Sequence, residues 1–443
     1  MKVLHVPFCY HPDPIGGTEV YVKSLLLGLS DLGVDGAIAA PGFKEASYVH
    51  DGFSVHRFAV DSGTPFAQAY GTPDQVAARS FARILGRERP DVVHLHAFTS
   101  AVSVLLVSAA QAAGARVVFT YHTPTVTCAR GTLMRWGTVP CDGVMTARRC
   151  TACNLTKHAL PQPIAIPLAY IPTWLGRGLI RAGLVGGAWT ALSMRFLVQE
   201  RQRMARSFLN TVDHVIAVCD WVYRLLMANG VSADRLSLSR QGLPFPPENG
   251  IVQPKSSADK RYGLRLAFLG RLDWTKGPDL LADILCNLPG LPISIDIFGV
   301  SQSQAPDNYT SVLARAAAND SRISLKIPVD PREVVPLLRG YDLVAVPSRW
   351  LESGPLVILE AFAAGVPVIA SRIGGIMELV EEQINGVLVP PDDVSAWSSE
   401  LRRLLEEPER LAQLRRGVKD PRQMIDAAHD MKAIYVRLMD RVC

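Results

Sequence analysis

The sequence lacks several features that would point to other protein classes. No Gly-x-Gly-x-x-Gly follows its first apolar run, which disfavours a dehydrogenase-type dinucleotide site. No Asp-x-Asp occurs, so the carboxylates that would hold a metal on a diphosphate are missing and no catalytic metal is expected. No apolar run reaches the ~20 residues of a spanning helix. The most hydrophobic region, 159–194, is broken by Pro161, Pro163, Pro167 and Pro172, then by Arg177 and Arg181. It reads as a helical subdomain, or as a hairpin lying on a membrane with Trp174, Trp189 and the arginines at the interface. No repeat or low-complexity tract stands out. Nor is a secretory leader expected: Met1-Lys2 runs directly into Val3-Leu4-His5-Val6, a buried strand by composition. A cytoplasmic location is expected, at the inner membrane face if 159–194 touches lipid.

What is present describes a large globular α/β protein. The chain has 443 residues, 48% hydrophobic and 20% charged, with a net charge of +5. That length suits two domains of roughly 200 residues, and the mild excess of cations suits an anionic partner. Short β-rich runs alternate with helical segments, the pattern of parallel α/β folds. Strands are expected at 2–6, 37–40, 92–96, 117–121 and 214–218. A second set is expected at 265–269, 294–298, 323–327, 343–346, 366–370 and 387–389. Pro244, Pro246, Pro247 and Pro254, with Asn249-Gly250 and Ser256-Ser257, mark a linker over 244–261. The expected domains are therefore 1–243, with an insertion near 124–212, and 262–421. A terminal helix over 422–443 would cross back to the first domain. Two doubly wound domains would place their strand ends across a cleft, where such folds bind ligands.

From Ser353 to Ser371, Glu360 is the only charged residue. A buried carboxylate needs a hydrogen-bonding partner, and here the pattern favours a ligand. Pro355 suits a first helical position, Ser353 or Gly354 a cap, and Gly365 with Pro367 a helix end. The helix expected over about 355–364 would present free amides, those of Leu356 and Val357, beside Glu352. Glu360 would lie roughly 7–8 Å further along, about the step from a pyrophosphate to ribose hydroxyls. Two carboxylates flanking a phosphate cradle suit a sugar nucleotide.

Other candidates sit at strand ends. Gly16-Gly17 precedes an amphipathic helix, where glycine lets backbone amides approach a phosphate or sugar. Arg271 ends an expected strand, and Lys276 follows in the next loop, both on the edge where an anion would be met. His96 and His122 close two strands of the first half, marking at least one of them as a substrate contact.

Gly16-Gly17, Gly270-Arg271-Leu272 with Lys276-Gly277, Glu352 eight positions before Glu360, and Gly374-Gly375-Ile376-Met377-Glu378 together resemble retaining glycosyltransferase family 4. The resemblance spans both halves and is loosest near 124–212. It implies the GT-B fold and a hexosyltransferase-type activity (EC 2.4) on a nucleotide-diphosphate sugar, UDP- or GDP-linked. The acceptor implied is a glycan or lipid-linked sugar of cell-surface polysaccharide synthesis, with no nucleic acid involved. By the same resemblance, Arg271, Lys276 and the amides of Leu356 and Val357 would hold the pyrophosphate, and Glu360 the ribose. Glu352 and His122 would hold the transferred sugar, and Gly16 and Gly17 would lie against donor phosphate and acceptor. Ser353-Gly354-Pro355 departs from relatives that carry a bulkier residue after the first glutamate, which leaves the donor sugar open.

Cys128, Cys141, Cys150 and Cys153 fall in one stretch, ending in Cys-x-x-Cys, with Arg130, Arg135, Arg148 and Arg149 among them. Structural zinc, free thiols or disulfides, and an iron–sulfur centre all fit this spacing. Zinc stapling a loop over the acceptor side is the favoured expectation. Rival functions are a sugar-nucleotide epimerase or phosphorylase on the same fold, and a non-catalytic sugar-nucleotide or nucleic-acid binder organised around the cysteines. The first pair would need ring acid/base groups or a cofactor lysine, and the last would tolerate loss of Glu352.

Overall fold

The computed structural model describes residues 1–13, 16–61, 70–246, 263–300 and 308–440. Most of the expected linker, from 247 on, lies outside the described residues. The chain divides into two compact units. The first comprises 1–10, 29–239 and the segment from Met431, and the second comprises 11–28 and 240–430. Helices Gly17–Asp31 and Met424–Asp440 each contribute residues to both units.

The first unit is built on an eight-stranded sheet. Its strands are β1 (Lys2–Val6), β2 (Asp35–Gly42), β3 (Ala46–His50), β4 (Phe53–Ala59), β5 (Val92–Leu95), β6 (Arg116–Tyr121), β9 (His214–Ala217) and β10 (Leu236–Leu238). A separate hairpin pairs β7 (Met134–Arg135) with β8 (Val139–Pro140). The sheet order is β10-β9-β6-β5-β1-β2-β4-β3, parallel except for the antiparallel β3–β4 pair. β1, β5, β6 and β9 are buried almost throughout, as expected for parallel strands covered on both faces. After β6 come the hairpin and then helices Ala147–Lys157, Gln162–Leu168, Thr173–Arg181 and Gly187–Thr211. They close on a small apolar core of Leu155, Ala165, Met194 and Val198.

The second unit carries β11 (Leu264–Arg271), β12 (Ile293–Val300), β13 (Ile323–Lys326), β14 (Leu343–Val346), β15 (Val368–Ser371) and β16 (Gly386–Val389). All pair in parallel in the order β13-β12-β11-β14-β15-β16. In chain order within the unit this is 3-2-1-4-5-6, the doubly wound dinucleotide-binding arrangement. Its connections diverge between β11 and β14, and ligands of such sheets sit at the carboxyl edge there. Beneath lies one apolar core containing Phe268, Leu281, Ile295, Leu343, Ile369, Trp397 and Leu401.

Two local expectations are corrected. β15 begins at Val368, because Pro367 has no amide for the ladder and the Val366 amide instead bonds Ala361 O at the helix end. The helix over Leu356–Ala363 starts one residue late, with Pro355 at the capping position in extended conformation. Its C-terminal end follows the expected chemistry. Gly365 takes φ +73°, and the amides of Gly365 and Val366 return to Phe362 O and Ala361 O.

Candidate active site

In the second unit, the carboxyl edge between β11 and β14 gathers most of the expected residues. The loop after β11 is shaped by Asp273, whose carboxylate accepts from the amides of Thr275 (2.9 Å) and Lys276 (3.3 Å). Gly277 ends the loop at φ +69°, and a Cβ there would stand 2.2 Å from Pro347 O, so only glycine fits. That close approach seats the loop against the segment leaving β14. Lys276 Nζ then reaches Glu352 Oε1 at 2.6 Å, and Ser348 Oγ donates to the same oxygen at 2.7 Å. Glu352 is 5% exposed. Buried carboxylates of this kind persist because a charged donor and a hydroxyl satisfy them.

The Glu352 backbone is held as tightly as its side chain. Gly375 N–H donates to Glu352 O at 2.7 Å, and Gly374, at φ +55°, leaves no room for a Cβ, which would meet that oxygen at 2.6 Å. Gly374-Gly375 therefore act by letting one loop lie against another.

Trp350 is a functional candidate that sequence reasoning missed. Arg271 and Lys276 lie over its ring, 5.7 and 5.4 Å from the centroid. Arg271 Nε also contacts Asp273 at 3.2 Å. Beside them Arg349, 6% exposed at its side chain, is bound by Asp279 (2.6 Å) and Asp392 (2.7 Å) and pins the loop. An Arg-Trp pair in an apolar run reads as core in sequence, so the signal available was only its position before Glu352.

In helix Leu356–Ala363 the first intrahelical amide bond is made by Ile358 to Pro355 O. The Leu356 and Val357 amides precede it in the first turn. Glu360 is buried, and its carboxyl receives no hydrogen bond or ion pair among the described residues. Burial pushes it up to about 7.

Gly17 lies next to Leu356: a Cβ on Gly17 would stand 3.8 Å from the leucine Cδ1. The Gly16 amide, however, is already bonded to Glu19 Oε2 at 2.8 Å. Glu19, in the first helical turn, thus caps the Gly16 amide.

His122 and the four cysteines belong to the first unit. His122 is 7% exposed and packs on His96. Cys128 precedes the β7–β8 hairpin, Cys141 follows it, and Cys150 and Cys153 lie in helix Ala147–Lys157; Trp136 N–H meets Cys153 Sγ at 3.3 Å, and Arg130 bonds Cys153 O at 2.9 Å. They do not form the expected ligand sphere. Among the described residues, the group of three or more ligand atoms within 4.8 Å of one another is His5, His94 and His96. Cys153 turns toward the Trp136 amide and Cys141 toward Asp142, while burial raises the Cys150 thiol to about 11.

Residues 16–240 match the glycosyl transferase 4-like domain, and residues 253–420 match glycosyl transferases group 1. D-inositol 3-phosphate glycosyltransferase of Xylanimonas cellulosilytica is 31% identical over 229 residues, 49% of this chain and 55% of that protein. The protein of the same name from Salinispora tropica is 34% identical over 204 residues, 44% of this chain and 39% of that protein. The chain thus spans about half the length of the curated relatives it matches. Among solved structures, sucrose-phosphate synthase of Thermosynechococcus elongatus superposes with TM-score 0.67 at 18% identity, covering 100% of both chains. Anabaena Alr3699/HepE in complex with UDP gives 0.63 at 16% identity, covering 99% of this chain and 100% of that one. These likenesses establish the GT-B fold for the two parallel-sheet units. The chain belongs to the glycosyl transferase 4-like family, with a group 1 domain in its second half.

Proposed function

We propose that this protein transfers a sugar, with retention of anomeric configuration, from a UDP- or GDP-sugar to a glycan or lipid-linked acceptor in cell-surface polysaccharide synthesis. The observation that carries this reading is the edge between β11 and β14. There two cations, helix amides and a carboxylate already gripped by lysine stand near a second carboxylate that has no partner among the described residues. Relatives named D-inositol 3-phosphate glycosyltransferase, and a structural neighbour solved with UDP-glucose, support a nucleotide-sugar donor.

Arg271 and Lys276, with the amides of Leu356 and Val357, would stabilise the departing diphosphate as the sugar–phosphate bond breaks. Glu360 would accept from the ribose hydroxyls, Glu352 from hydroxyls of the transferred sugar, and His122 would contact that sugar. A phosphate oxygen of the leaving group would take the acceptor proton on the same face, so no protein base is assigned. A thermal-shift screen against UDP-, GDP- and ADP-sugars tests this. One nucleotide series should raise the melting temperature selectively, and no response to any of them would sink the reading.

A lipid-linked acceptor fits the helical module. From 143 to 199 the chain has no Asp or Glu but six Arg and Lys. Residues 181–189 are exposed throughout, including Val185 and Trp189, and Trp174 is 71% exposed. An exposed apolar stretch with a local excess of cations suits an anionic bilayer. No described helix is long and apolar enough to cross one. The cysteines enter the proposal only as a structural staple, for which zinc would have to draw the thiols closer. Metal analysis of protein purified without added zinc decides it, one zinc per chain supporting the staple and none removing it.

A further inference from the structure

Trp350 stands where two loops of the second unit meet. Lys276, in the loop after β11, holds its ammonium 5.4 Å from the centre of the indole ring, and the Arg271 guanidinium lies 5.7 Å from it. The neighbouring residue anchors this segment. The Arg349 amide donates to Thr275 O at 2.8 Å, and the Arg349 side chain is held by Asp279 and Asp392. Trp350 itself is 9% exposed, and its indole N–H is buried with no hydrogen-bond partner among the described residues. A leucine or phenylalanine would strand no donor there, and a stranded donor is costly. The face of the indole is then what the position uses, since tryptophan draws a cation to its face more strongly than the other aromatic side chains do.

Lys276 shows what that face does. Its Nζ has one hydrogen-bond partner among the described residues, Glu352 Oε1 at 2.6 Å. An ammonium carries three N–H groups, so others remain for an incoming anion. With the carboxylate as its only attraction, the flexible lysine stem would let the charge turn wholly to Glu352, and an anion would have to pull it back. The ring supplies a second attraction that competes with the carboxylate. Two cations gathered at one anion site also repel each other before the anion arrives. The negative potential of the ring face offsets part of that repulsion.

We propose that Trp350 is a positioning residue whose ring face holds Lys276 and Arg271 ready for a diphosphate, so that they are not drawn wholly onto Glu352 and Asp273. The proposal rests on the reading of this edge as the donor-diphosphate site and names the group that organises its cations. The gain is preorganisation: less rearrangement is left for the moment of binding. It carries into the transition state, where the departing diphosphate gains negative charge and fixed cations act without reorganising.

The test grades the field of the ring with little change in its size. Tryptophans carrying one to four fluorines on the six-membered ring are placed at position 350 of the full chain, and the affinity for inorganic pyrophosphate is measured by titration calorimetry. Each fluorine draws electron density from the face. Affinity should fall stepwise, reaching about five- to tenfold below wild type with four fluorines, the worth of a partly desolvated cation–π contact. The same series at Trp397, which lies in the apolar core with its indole N–H on Pro390 O at 3.2 Å, should leave the affinity unchanged. A purely packing role for Trp350 would give a flat series. A flat series, an affinity that rises with fluorination, an equal fall from Trp397, or no pyrophosphate binding by the wild-type protein overturns the proposal. With a nucleotide-sugar donor, kcat should fall in step with the pyrophosphate affinity. Graded pyrophosphate binding in a protein that responds to no nucleotide sugar would instead remove the donor reading and leave the role of Trp350 standing.

Discussion

Glu360 is a carboxyl whose burial has no compensating partner among the described residues, and its proton affinity follows from that. With a folded value of about 7, against an ordinary value near 4.5, the folded state keeps a proton that the unfolded chain has released across this window. Stability therefore falls as pH rises from the ordinary value to about 7, and the penalty is complete above it. Each tenfold gain in proton affinity on folding corresponds to about 1.4 kcal/mol. Glu360→Gln should match wild type near pH 4 and melt at a higher temperature above pH 7. Donor binding should run the other way. Ribose hydroxyls favour the ionised carboxylate, so wild-type affinity should rise between about pH 6 and 8, and in Glu360→Gln it should be flat. A flat wild-type profile would remove the ribose assignment. Glu360 was legible in the sequence because a lone charge in an apolar run has few explanations. His5 was not, since a histidine inside Val-Leu-His-Val reads as strand filler until β1 is seen beside β5.

At the scale of elements, the loops around the switch point depend on glycines that admit no side chain. Gly277→Ala would drive a Cβ into Pro347 O and force an alanine into the left-handed region. A loss of about 2–4 kcal/mol is expected, together with a fall in turnover of tenfold or more as Lys276 is displaced from Glu352. Gly290→Ala is the control: it has the same positive φ with nothing within 4 Å of the added carbon. It should cost about 1 kcal/mol by backbone strain alone, with turnover intact. Equal effects from the two changes would show that loop seating is irrelevant. Parallel strands were easy to read because burial on both faces makes them continuous apolar runs. The β3–β4 hairpin was missed although its signal was present. Asp51-Gly52 takes φ +51° and +84° between the strands, the Asp-Gly turn favoured in hairpins. The exposed residues of β3 conceal it, since Ala46–His50 has no apolar periodicity.

For the molecule as a whole, the proposed membrane contact of the helical module is tested with vesicles. Full-length protein should sediment with phosphatidylglycerol vesicles and not with neutral phosphatidylcholine vesicles. Raising salt should weaken the interaction, because each Arg near an anionic surface is worth about 1 kcal/mol. Serine at Leu184, Val185 and Trp189 together should weaken binding at least tenfold by removing the inserted apolar area. Equal binding to both vesicle types, or no loss in the triple variant, would exclude an anionic bilayer as the partner.

Because residues 11–28 belong to the second unit and those from Met431 to the first, neither unit is a contiguous stretch of polypeptide. Where helix Gly17–Asp31 meets helix Met424–Asp440, a Cβ on Gly28 would come within 3.0 Å of the Ala428 methyl. A laboratory that cuts the gene near codon 240 would hold two pieces, each missing a segment encoded on the other. Co-production of both pieces, and not either one alone, is the form in which a split version of this protein should be sought.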